Sequence, residues 1–448
     1  MEIFHQCFKK IPLKINSKLK NIVSNKFIRN VIIIASGTAG AQIISMLFSP
    51  IITRLYGPEV FGILGTFTAI LTVITPIAAL TYPIAIVLPK SDANAKGIAI
   101  LSIRLAILVS VLIALVLLIE NDWIAHILRL GIIKEFLLFI PIVMFFSAYQ
   151  EILAQWCIRK KQFKLTARVT IIQAIILNGA KAGLGLIYPI SKTLIIITVF
   201  GFLINGILLK LGLKRQKISF FDKKINTGNL FQLAHQYSDF PLYRAPQVVL
   251  NALSQSLPIL MLASFFGPAS AGFYSIGRTV LGIPSTLIGK SVGDVFYPRI
   301  SEAVNNKEKV SNLISKATIL MSAVGIIPFG VVVIFGPYLF DIIFGSDWVV
   351  AGEYARWLAL WLYFGFLNRP SVAAIAALKL QGFFLIYELI SIVLRVGSLY
   401  MGFSIYNSDI IAIALFSICG VILNISLIIF TLKKSKEYLV QITKNNHE

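Results

Sequence analysis

Basic side chains lie deep within the apolar stretches of this 448-residue chain, where a membrane-spanning segment normally excludes them. Of the nine bases within these stretches, we interpret five as deep charges, namely Lys181, Arg244, Arg278, Lys290 and Arg395. Five such charges facing lipid would cost about 15 kcal/mol in total. We therefore expect most of them to face a wet cavity, where cationic groups bind phosphate through charge-assisted hydrogen bonds.

Polar residues recur at helical spacing in two of these stretches, each set on one helix face. The first face comprises Thr38, Gln42, Ser45 and Ser49, and the second comprises Arg244, Gln247, Asn251 and Ser254. Such faces either join helices or line water, and the accompanying bases favour a water-lined path. We therefore count Gln42, Gln247 and Asn251, together with the five bases, as candidate cargo contacts.

Acids are fewer than bases inside the apolar stretches, so a cavity lined by both would be net positive and would suit a phosphate-bearing cargo. The acids are Glu151, Asp239, Asp294, Glu353 and Glu388. If a proton gradient drives transport, Asp239, Asp294 or Glu388 would carry the proton, because an intramembrane carboxylate can bind and release one. Asp239 also stands at a helix start, where we expect it to cap backbone N–H groups. Glu353 is spaced to pair with Arg356.

No residues are arranged for catalysis or for metal binding. The sequence has no Walker A stretch, no HExxH pair and no nucleophile elbow. Its 3 cysteines and 4 histidines are scattered, without metal-ligand spacing, and the predicted external loops are short. We therefore expect a transporter rather than an enzyme, without a bound cofactor or metal. An H⁺ or Na⁺ gradient, or the gradient of the cargo itself, would drive it.

The elements that must position these residues are membrane helices. Of all residues, 57% are hydrophobic and 13% are charged, and the mean hydropathy is +0.84, whereas soluble domains carry about 25% charged residues. Apolar stretches of about 20 residues predict twelve spans in an all-α integral membrane protein. These lie near 31–53, 61–88, 98–119, 135–156, 169–187, 193–209, 241–265, 273–297, 313–334, 349–376, 383–403 and 410–431.

Basic residues in the loops alternate between the two sides of these spans. The loops of one side hold only Arg54, Arg129, Lys134 and Lys192, and the other loop bases lie with both termini on the opposite side. By the positive-inside rule, both termini are predicted to be cytoplasmic. The net charge of +22 is therefore a topology signal, and we expect no nucleic-acid partner.

An internal repeat divides the chain into two halves. YGPEVFGILGTF at the start of 56–90 resembles FGPASAGFYSIG at the start of 266–299, and each copy ends in Pro followed by a base. An even number of spans separates the copies, so we expect two six-helix lobes of the same orientation around a central cavity. The predicted parts are a basic N-terminus (1–30), an N-lobe (31–213), a cytoplasmic linker (214–239), a C-lobe (240–432) and a cytoplasmic tail (433–448).

Several segments resemble a known family. They are SGTAGAQIISMLFSPIITRLYGPEVFGILGTF, WCIRKKQFKLTARVTIIQAIILNGAKAGLGL, YSDFPLYRAPQVVLNALSQSLPILMLASFFGPASAGFYSIGRTVLG and FGSDWVVAGEYARWLA. They are similar to bacterial polysaccharide flippases, the O-antigen or lipopolysaccharide repeat-unit translocases of the multidrug/oligosaccharidyl-lipid/polysaccharide exporter superfamily.

This resemblance implies two six-helix bundles around a V-shaped cavity, and alternating access. It implies an undecaprenyl-diphosphate-linked oligosaccharide as cargo, moved from the cytoplasmic to the periplasmic leaflet of the bacterial inner membrane for surface polysaccharide assembly. A polysaccharide polymerase and a chain-length regulator would be further partners. Arg244 and Arg278 fall in the best-matching segment and are the leading cargo contacts.

Three other functions stay open. A cation-coupled multidrug exporter of the same fold would be expected to have acids dominating its cavity, whereas bases dominate here. A membrane glycosyltransferase or polymerase would carry an acidic catalytic pair on a large external loop. A scaffold of an assembly complex that transports nothing would keep working when the charges within the spans are mutated.

Overall fold

The computed structural model describes residues 26–127, 131–218, 230–306, 308–378 and 380–444. This part of the chain is 91% helix without strands, which confirms the all-α prediction. Most of the predicted basic N-terminus and the middle of the predicted linker lie outside the described residues.

The first half of the chain forms seven α-helices within the described residues. They are α1 (Lys26–Ala78), α2 (Tyr82–Ala85), α3 (Asp92–Ile127), α4 (Lys134–Leu137), α5 (Ile140–Arg159), α6 (Phe163–Gly185) and α7 (Ser191–Arg215). Gly57 has a positive φ of 68° and divides α1 into two consecutive segments. Glycine is suited to this break because it adopts such a φ without a steric penalty.

The second half forms eight further helices within the described residues. They are α8 (Leu230–Gln236), α9 (Ala245–Phe266), α10 (Pro268–Asn305), α11 (Val310–Phe344), α12 (Val349–Leu367), α13 (Arg369–Ala377), α14 (Gln381–Tyr406) and α15 (Asp409–Lys444). A π-helical turn, Phe240–Arg244, leads into α9. We call α1–α7 the N-lobe and α9–α15 the C-lobe.

Eight described helices are long and apolar enough to cross a membrane, or nine when a helix pair bent by 43° counts as one span. The other predicted spans also coincide with helices. The number of such helices is lower than twelve partly because the two segments of α1, on either side of Gly57, count as one helix. In addition, polar residues lower the hydropathy of α6 and α10. Large apolar side chains such as Ile119, Ile327 and Val393 are 70–77% exposed, as expected for a lipid-facing surface.

The two copies of the internal repeat touch each other near Gly57, at the end of the first segment of α1 that is remote from Lys26. Gly57 and Gly267 both have positive φ, and Pro58 and Pro268 begin the helical segments that follow. We call this region the Gly-Pro end, and the opposite end of the helices, where residues 214–218 and 230–240 lie, the linker end. The contact is between N-lobe and C-lobe, as two lobes related by a repeat require.

Each lobe has a hydrophobic core of its own. Phe67 and Met144 are fully buried in the N-lobe, and Trp348 and Tyr354 are fully buried in the C-lobe. At the Gly-Pro end Phe61 of α1 extends into the C-lobe core, where its ring meets that of Trp348 edge to face at 5.3 Å.

Two expectations for charged residues have different outcomes. Glu353 and Arg356 form the predicted ion pair, with an N–O distance of 3.2 Å. The expectation that Asp239 caps a helix is wrong, because its side chain makes no capping hydrogen bond. The chain is already helical around Asp239, and the N–H groups of Phe240 and Leu242 donate to the carbonyl groups of Tyr237 and Ser238. These two N–H groups therefore do not need a hydrogen bond from a capping side chain.

The last part of the predicted linker is attached to the N-lobe. The hydroxyl of Tyr82 donates to the carbonyl of Ala234 at 3.0 Å, and that of Thr81 donates to the carbonyl of Phe240 at 3.0 Å. Leu233 is buried in the N-lobe, where it fills the space beside Gly97. The π-helical turn therefore begins at a point held by the N-lobe and ends at Arg244, the residue before the C-lobe.

Candidate functional site

A cavity of about 820 Å³ lies between the two lobes, in the place that the repeat predicts. Helices α1, α6 and α7 of the N-lobe and α9 and α10 of the C-lobe supply nearly all of its walls. Both segments of α1 contribute to these walls, the first through residues 38–52 and the second through residues 61–72. The cavity volume lies within the range of about 300–1,000 Å³ that is typical of ligand sites.

Two of the predicted deep bases, Lys181 of α6 and Arg278 of α10, line this cavity from opposite lobes. The described lining residues include no acid. No hydrogen bond or ion pair of the Lys181 ammonium is recorded among the described residues, while its backbone carbonyl accepts a hydrogen bond from Tyr56 at 2.9 Å. The cavity is therefore positive, and the ammonium has donors to offer an anionic ligand.

The guanidinium of Arg278 is held by Gln255 of α9. Its Nη1 donates to the backbone carbonyl of Gln255 at 2.7 Å, and its Nη2 donates to Oε1 of the same residue at 3.0 Å. Nη1 also lies 3.4 Å from the hydroxyl of Tyr274, and the amide of Gln255 donates to Oδ1 of Asn251 at 2.9 Å. A guanidinium has five N–H donors, so two are left to bind a ligand.

The polar face predicted on the first span lines the cavity along its whole length. Its members are Thr38, Gln42, Ser45 and Ser49. Oε1 of Gln42 is buried and has no described hydrogen-bond partner, and Asn178 donates to the Ser45 hydroxyl at 3.0 Å. This wall can donate and accept hydrogen bonds at several points, as binding a sugar requires.

No member of the second predicted polar face (Arg244, Gln247, Asn251 and Ser254) lines the cavity. Arg244 and Gln247 are exposed and bond to each other at 2.9 Å, and neither is among the lining residues. Asn251 also lies outside the lining and reaches the site only through Gln255. The structure thus does not place Arg244, Gln247 or Asn251 on the cavity wall, although the sequence predicted all three as cargo contacts.

Arg395 lies elsewhere in the C-lobe. Its guanidinium stands over the ring of Trp361 at 5.8 Å, and its Nε donates to the carbonyl of Ser391 at 3.1 Å. Glu388 is on the same helix, and neither residue lines the cavity between the lobes. Arg395 is therefore partnered within the C-lobe, and its predicted contact with cargo has no support from this geometry.

The remaining predicted residues are on or near α10 and α9. Lys290 and Asp294 fall on a stretch of α10 whose side chains lie outside the described residues. Asp239 is exposed at the linker end, outside the cavity. The proton-carrier role predicted for Asp239, Asp294 or Glu388 stays a prediction.

Several residues of the cavity wall were not predicted from the sequence. They are Thr68, Thr72, Asn178, Thr198, Gln255, Tyr274, Ser275 and Thr279. A signal was present for two of them, because Asn178 precedes Lys181 by three residues and Tyr274 precedes Arg278 by four, which places each on the face of a deep base. The threonines carry no comparable signal, because isolated threonines are common in membrane helices.

Comparison with known proteins places most of the chain in one family. The family model described as "Polysaccharide biosynthesis protein" matches residues 51–353, which include both cavity bases and both copies of the repeat. No curated protein sequence matches the chain.

Solved structures of transporters have the same fold. The lipid II flippase MurJ in an inward closed conformation has a TM-score of 0.67 at 15% identity, with 91% of each chain covered. An inward-facing multidrug resistance MATE family transporter of the MOP superfamily has a TM-score of 0.66 at 14% identity, over 89% of this chain and 95% of that chain. The outward-facing conformation of such a transporter scores 0.60 at 13% identity, over 92% and 96%. At these identities the likeness shows the fold alone.

Proposed function

This chain belongs to the polysaccharide biosynthesis protein family, and from that premise we propose that it moves a lipid-linked oligosaccharide between the two leaflets of a membrane. The observation that carries the proposal is the position of Lys181 and Arg278, which line one cavity from opposite lobes with no acid among the described lining residues. Such a cavity attracts a ligand with concentrated negative charge and a polar body.

The two bases suit a diphosphate group. An ammonium without a described partner and a guanidinium with two donors left over can each form charge-assisted bonds to phosphate oxygens. A diphosphate bound between them would join the lobes, because one base belongs to each lobe. The hydroxyl and amide groups of Gln42, Ser49 and Asn178 would then bind the sugars.

The polar group and the lipid tail need different surroundings. The cavity provides water and charge for the head of the cargo, while the tail stays among the exposed apolar side chains of the helices. Transport by alternating access requires the lobes to separate at the Gly-Pro end and to approach each other at the linker end. The short contacts at the Gly-Pro end would be those that break.

The lipid carrier, the membrane and the product are inferred from the family and from the sequence together. We propose undecaprenyl diphosphate as the lipid carrier, the bacterial inner membrane as the location, and surface polysaccharide such as O-antigen as the product. Both termini would be cytoplasmic, as the distribution of Lys and Arg predicts. A polysaccharide polymerase and a chain-length regulator would act on the cargo after its transfer.

A multidrug exporter is the second candidate, because a MATE family transporter has the same fold. The charge of the cavity argues against it. An organic cation would meet two bases there and no acid among the described lining residues, and like charges repel.

The experiment is translocation in proteoliposomes that contain the purified full-length protein. An undecaprenyl-diphosphate oligosaccharide with a labelled sugar is placed in one leaflet, and its exposure is followed with a sugar-modifying enzyme that cannot cross the membrane. We expect transfer by the wild type, little transfer by the Arg278→Gln variant, and none in liposomes without protein. Efflux of organic cations by the wild type without transfer of the lipid would overturn the proposal.

A further inference from the structure

A second cavity, of about 310 Å³, lies beside α5 and is separate from the one between the bases. We call it the α5 cavity. Its walls come from the end of α1, from the turn and helix α2 that follow, from α5 and α7, and from Val248 of the C-lobe. The polar residues of its wall are Thr75, Thr81, Ser147, Gln150 and Glu151.

Glu151 gives the α5 cavity its charge. It lies in the middle of α5 and is exposed rather than packed away. It is the one titratable residue among the described lining residues, and no ion pair joins it to a described Lys or Arg. A carboxylate at this depth has a high cost unless a positive group neutralises it.

Two hydroxyl groups of the α5 cavity offer oxygen lone pairs rather than protons. Ser147 donates its hydroxyl proton to the carbonyl of Met144 at 3.0 Å, and Thr81 donates its own to the carbonyl of Phe240 at 3.0 Å. The lone pairs of both hydroxyl groups therefore stay available. Oε1 of Gln150 is buried and has no hydrogen-bond partner among the described residues, and a buried carbonyl oxygen in that state is costly.

Backbone dipoles add to this negative character. The long helix α1 ends at Ala78, and Thr75, Pro76 and Ala79 at this end line the cavity. The C-terminus of a helix carries a partial negative charge and favours cations within its last turn. Unwound or terminal helix ends at intramembrane cavities coordinate small cations for the same reason.

We propose that the α5 cavity binds a sodium ion, with the carboxylate of Glu151 as its charged ligand. A single carboxylate balances a single positive charge, and oxygen atoms of neutral groups complete the shell. The cavity exceeds the volume of a bare ion, because one water occupies about 30 Å³, so the sodium ion keeps several waters. This site is distinct from Asp239, Asp294 and Glu388, which the sequence indicated as ion carriers.

Sodium at this place would link ion binding to the arrangement of the lobes. Thr81 holds the carbonyl of Phe240 at the start of the π-helical turn, and Val248 closes the cavity from the C-lobe. When the C-lobe rotates about that turn, the wall changes and so does the affinity for the ion. An ion that prefers one arrangement shifts the population toward it by its difference in affinity.

Direct binding of ²²Na⁺ to the purified full-length protein in detergent, without cargo, tests the site independently of transport. We expect saturable binding by the wild type that unlabelled Na⁺ displaces and choline does not. The Glu151→Gln variant keeps the shape and loses the charge, and we expect its affinity to fall by at least about tenfold, the lower end of what changes near a bound metal cost. The Glu353→Gln variant, which removes a carboxylate paired with Arg356, should bind Na⁺ as the wild type does.

A second variant tests the site in a protein that we expect to remain folded. Gln150→Met removes the unpartnered oxygen without touching the charge, and we expect weaker Na⁺ binding with an unchanged melting temperature in choline. Absence of binding by the wild type, or equal binding by the Glu151→Gln variant, would overturn the site. If the melting temperature of the wild type changes with pH and does not change with Na⁺, sodium is not the occupant. Failure of lipid transfer with Na⁺ binding intact would reject the proposed function and leave the site standing.

Discussion

Gly62 and Gly272 occupy equivalent places in the two copies of the repeat, and each lies against the helix of the other. A Cβ atom on Gly62 would lie 1.6 Å from the carbonyl oxygen of Pro268, and one on Gly272 would lie 2.1 Å from that of Pro58. Each Cβ would also be 3.0 Å from the amide nitrogen of the other glycine. The lobes therefore meet backbone to backbone across a pseudo-two-fold relationship, in a contact that tolerates no side chain.

Replacing Gly272 by Ala should separate the lobes at the Gly-Pro end. The obstacle to the new methyl group is backbone, which cannot rotate away as a side chain can. We expect the population to shift toward the arrangement that is open at this end. Spin labels at Tyr188 and Tyr406, which are exposed at the ends of α6 and α14, would measure the separation in a variant whose native cysteines are replaced.

Gly330→Ala is the control for that experiment, because a Cβ at Gly330 would meet nothing within 4 Å. Its label distances should equal those of the parent protein. If Gly272→Ala leaves the distances as they are in Gly330→Ala, the glycine contact does not hold the lobes together at this end.

The indole of Trp348 forms a second link at the Gly-Pro end. Its Nε1 donates to the carbonyl of Thr53 at 3.1 Å, in a buried position. Trp348→Phe should keep an aromatic ring near Phe61 and lose this hydrogen bond. Because a buried carbonyl would be left without its partner, we expect a loss of about 1–3 kcal/mol from the state that is closed at the Gly-Pro end.

The measurement is the same pair of label distances, together with the melting temperature. Trp123→Phe provides the comparison, since Trp123 is 62% exposed and should tolerate the change. Equal behaviour of the two variants would mean that the Thr53 bond contributes nothing to closure.

The fold could be predicted from the sequence because the features that determine it are local or periodic along the chain. Apolar length sets the spans, and the repeated aromatic-Gly-Pro sequence at 56–58 and 266–268 identifies the two lobes. The repeat also indicates where the lobes touch, although the sequence alone does not reveal that Gly62 and Gly272 need to be glycine for this reason.

The candidate site could be predicted from the sequence only in part, because the site depends on how far along each helix the cavity extends. Arg244 and Gln255 belong to the same stretch, but eleven residues of helix separate them by about 17 Å. The cavity includes Gln255 and not Arg244. Helical spacing identifies a face and carries no information about depth, so it grouped residues that the lobes do not bring together.

Arg395 shows a second limit. Sequence identified it as a deep charge in need of a partner, and it has one in the ring of Trp361. That partner lies on α12, and α12 and α14 both pack against α15, so their arrangement on α15 determines which ring the guanidinium meets. A single sequence does not show which distant aromatic residue a base will contact.

Lys181 should be required for transport in a way that an exposed lysine is not. Lys181→Met retains the length of the side chain and removes its charge. We expect transfer of the lipid-linked oligosaccharide to fall by about tenfold or more, since a hydrogen bond to a charged group is worth about 1.5–3 kcal/mol. The rate of transfer in proteoliposomes checks this.

Lys192→Met is the matched control, because Lys192 is exposed at the start of α7 and does not line the cavity. Its transfer rate should stay close to that of the wild type. Similar losses in both variants would indicate an effect of the total charge of the protein rather than of the cavity.

Gln255 should orient the guanidinium that Arg278 presents to the cargo. Gln255→Leu keeps the backbone carbonyl bond to Nη1 and removes the Oε1 acceptor of Nη2, so the guanidinium can rotate. We expect the apparent KM for the cargo to rise by about tenfold, in line with a charge-assisted bond of roughly 1.5 kcal/mol, while organic cations stay untransported. The chain provides an internal comparison in Gln247, whose Oε1 accepts from Arg244 at 2.9 Å outside the cavity. If Gln247→Leu raises KM as much as Gln255→Leu does, then cargo passes along the whole polar face of α9, and the cavity between the lobes is only one part of its path.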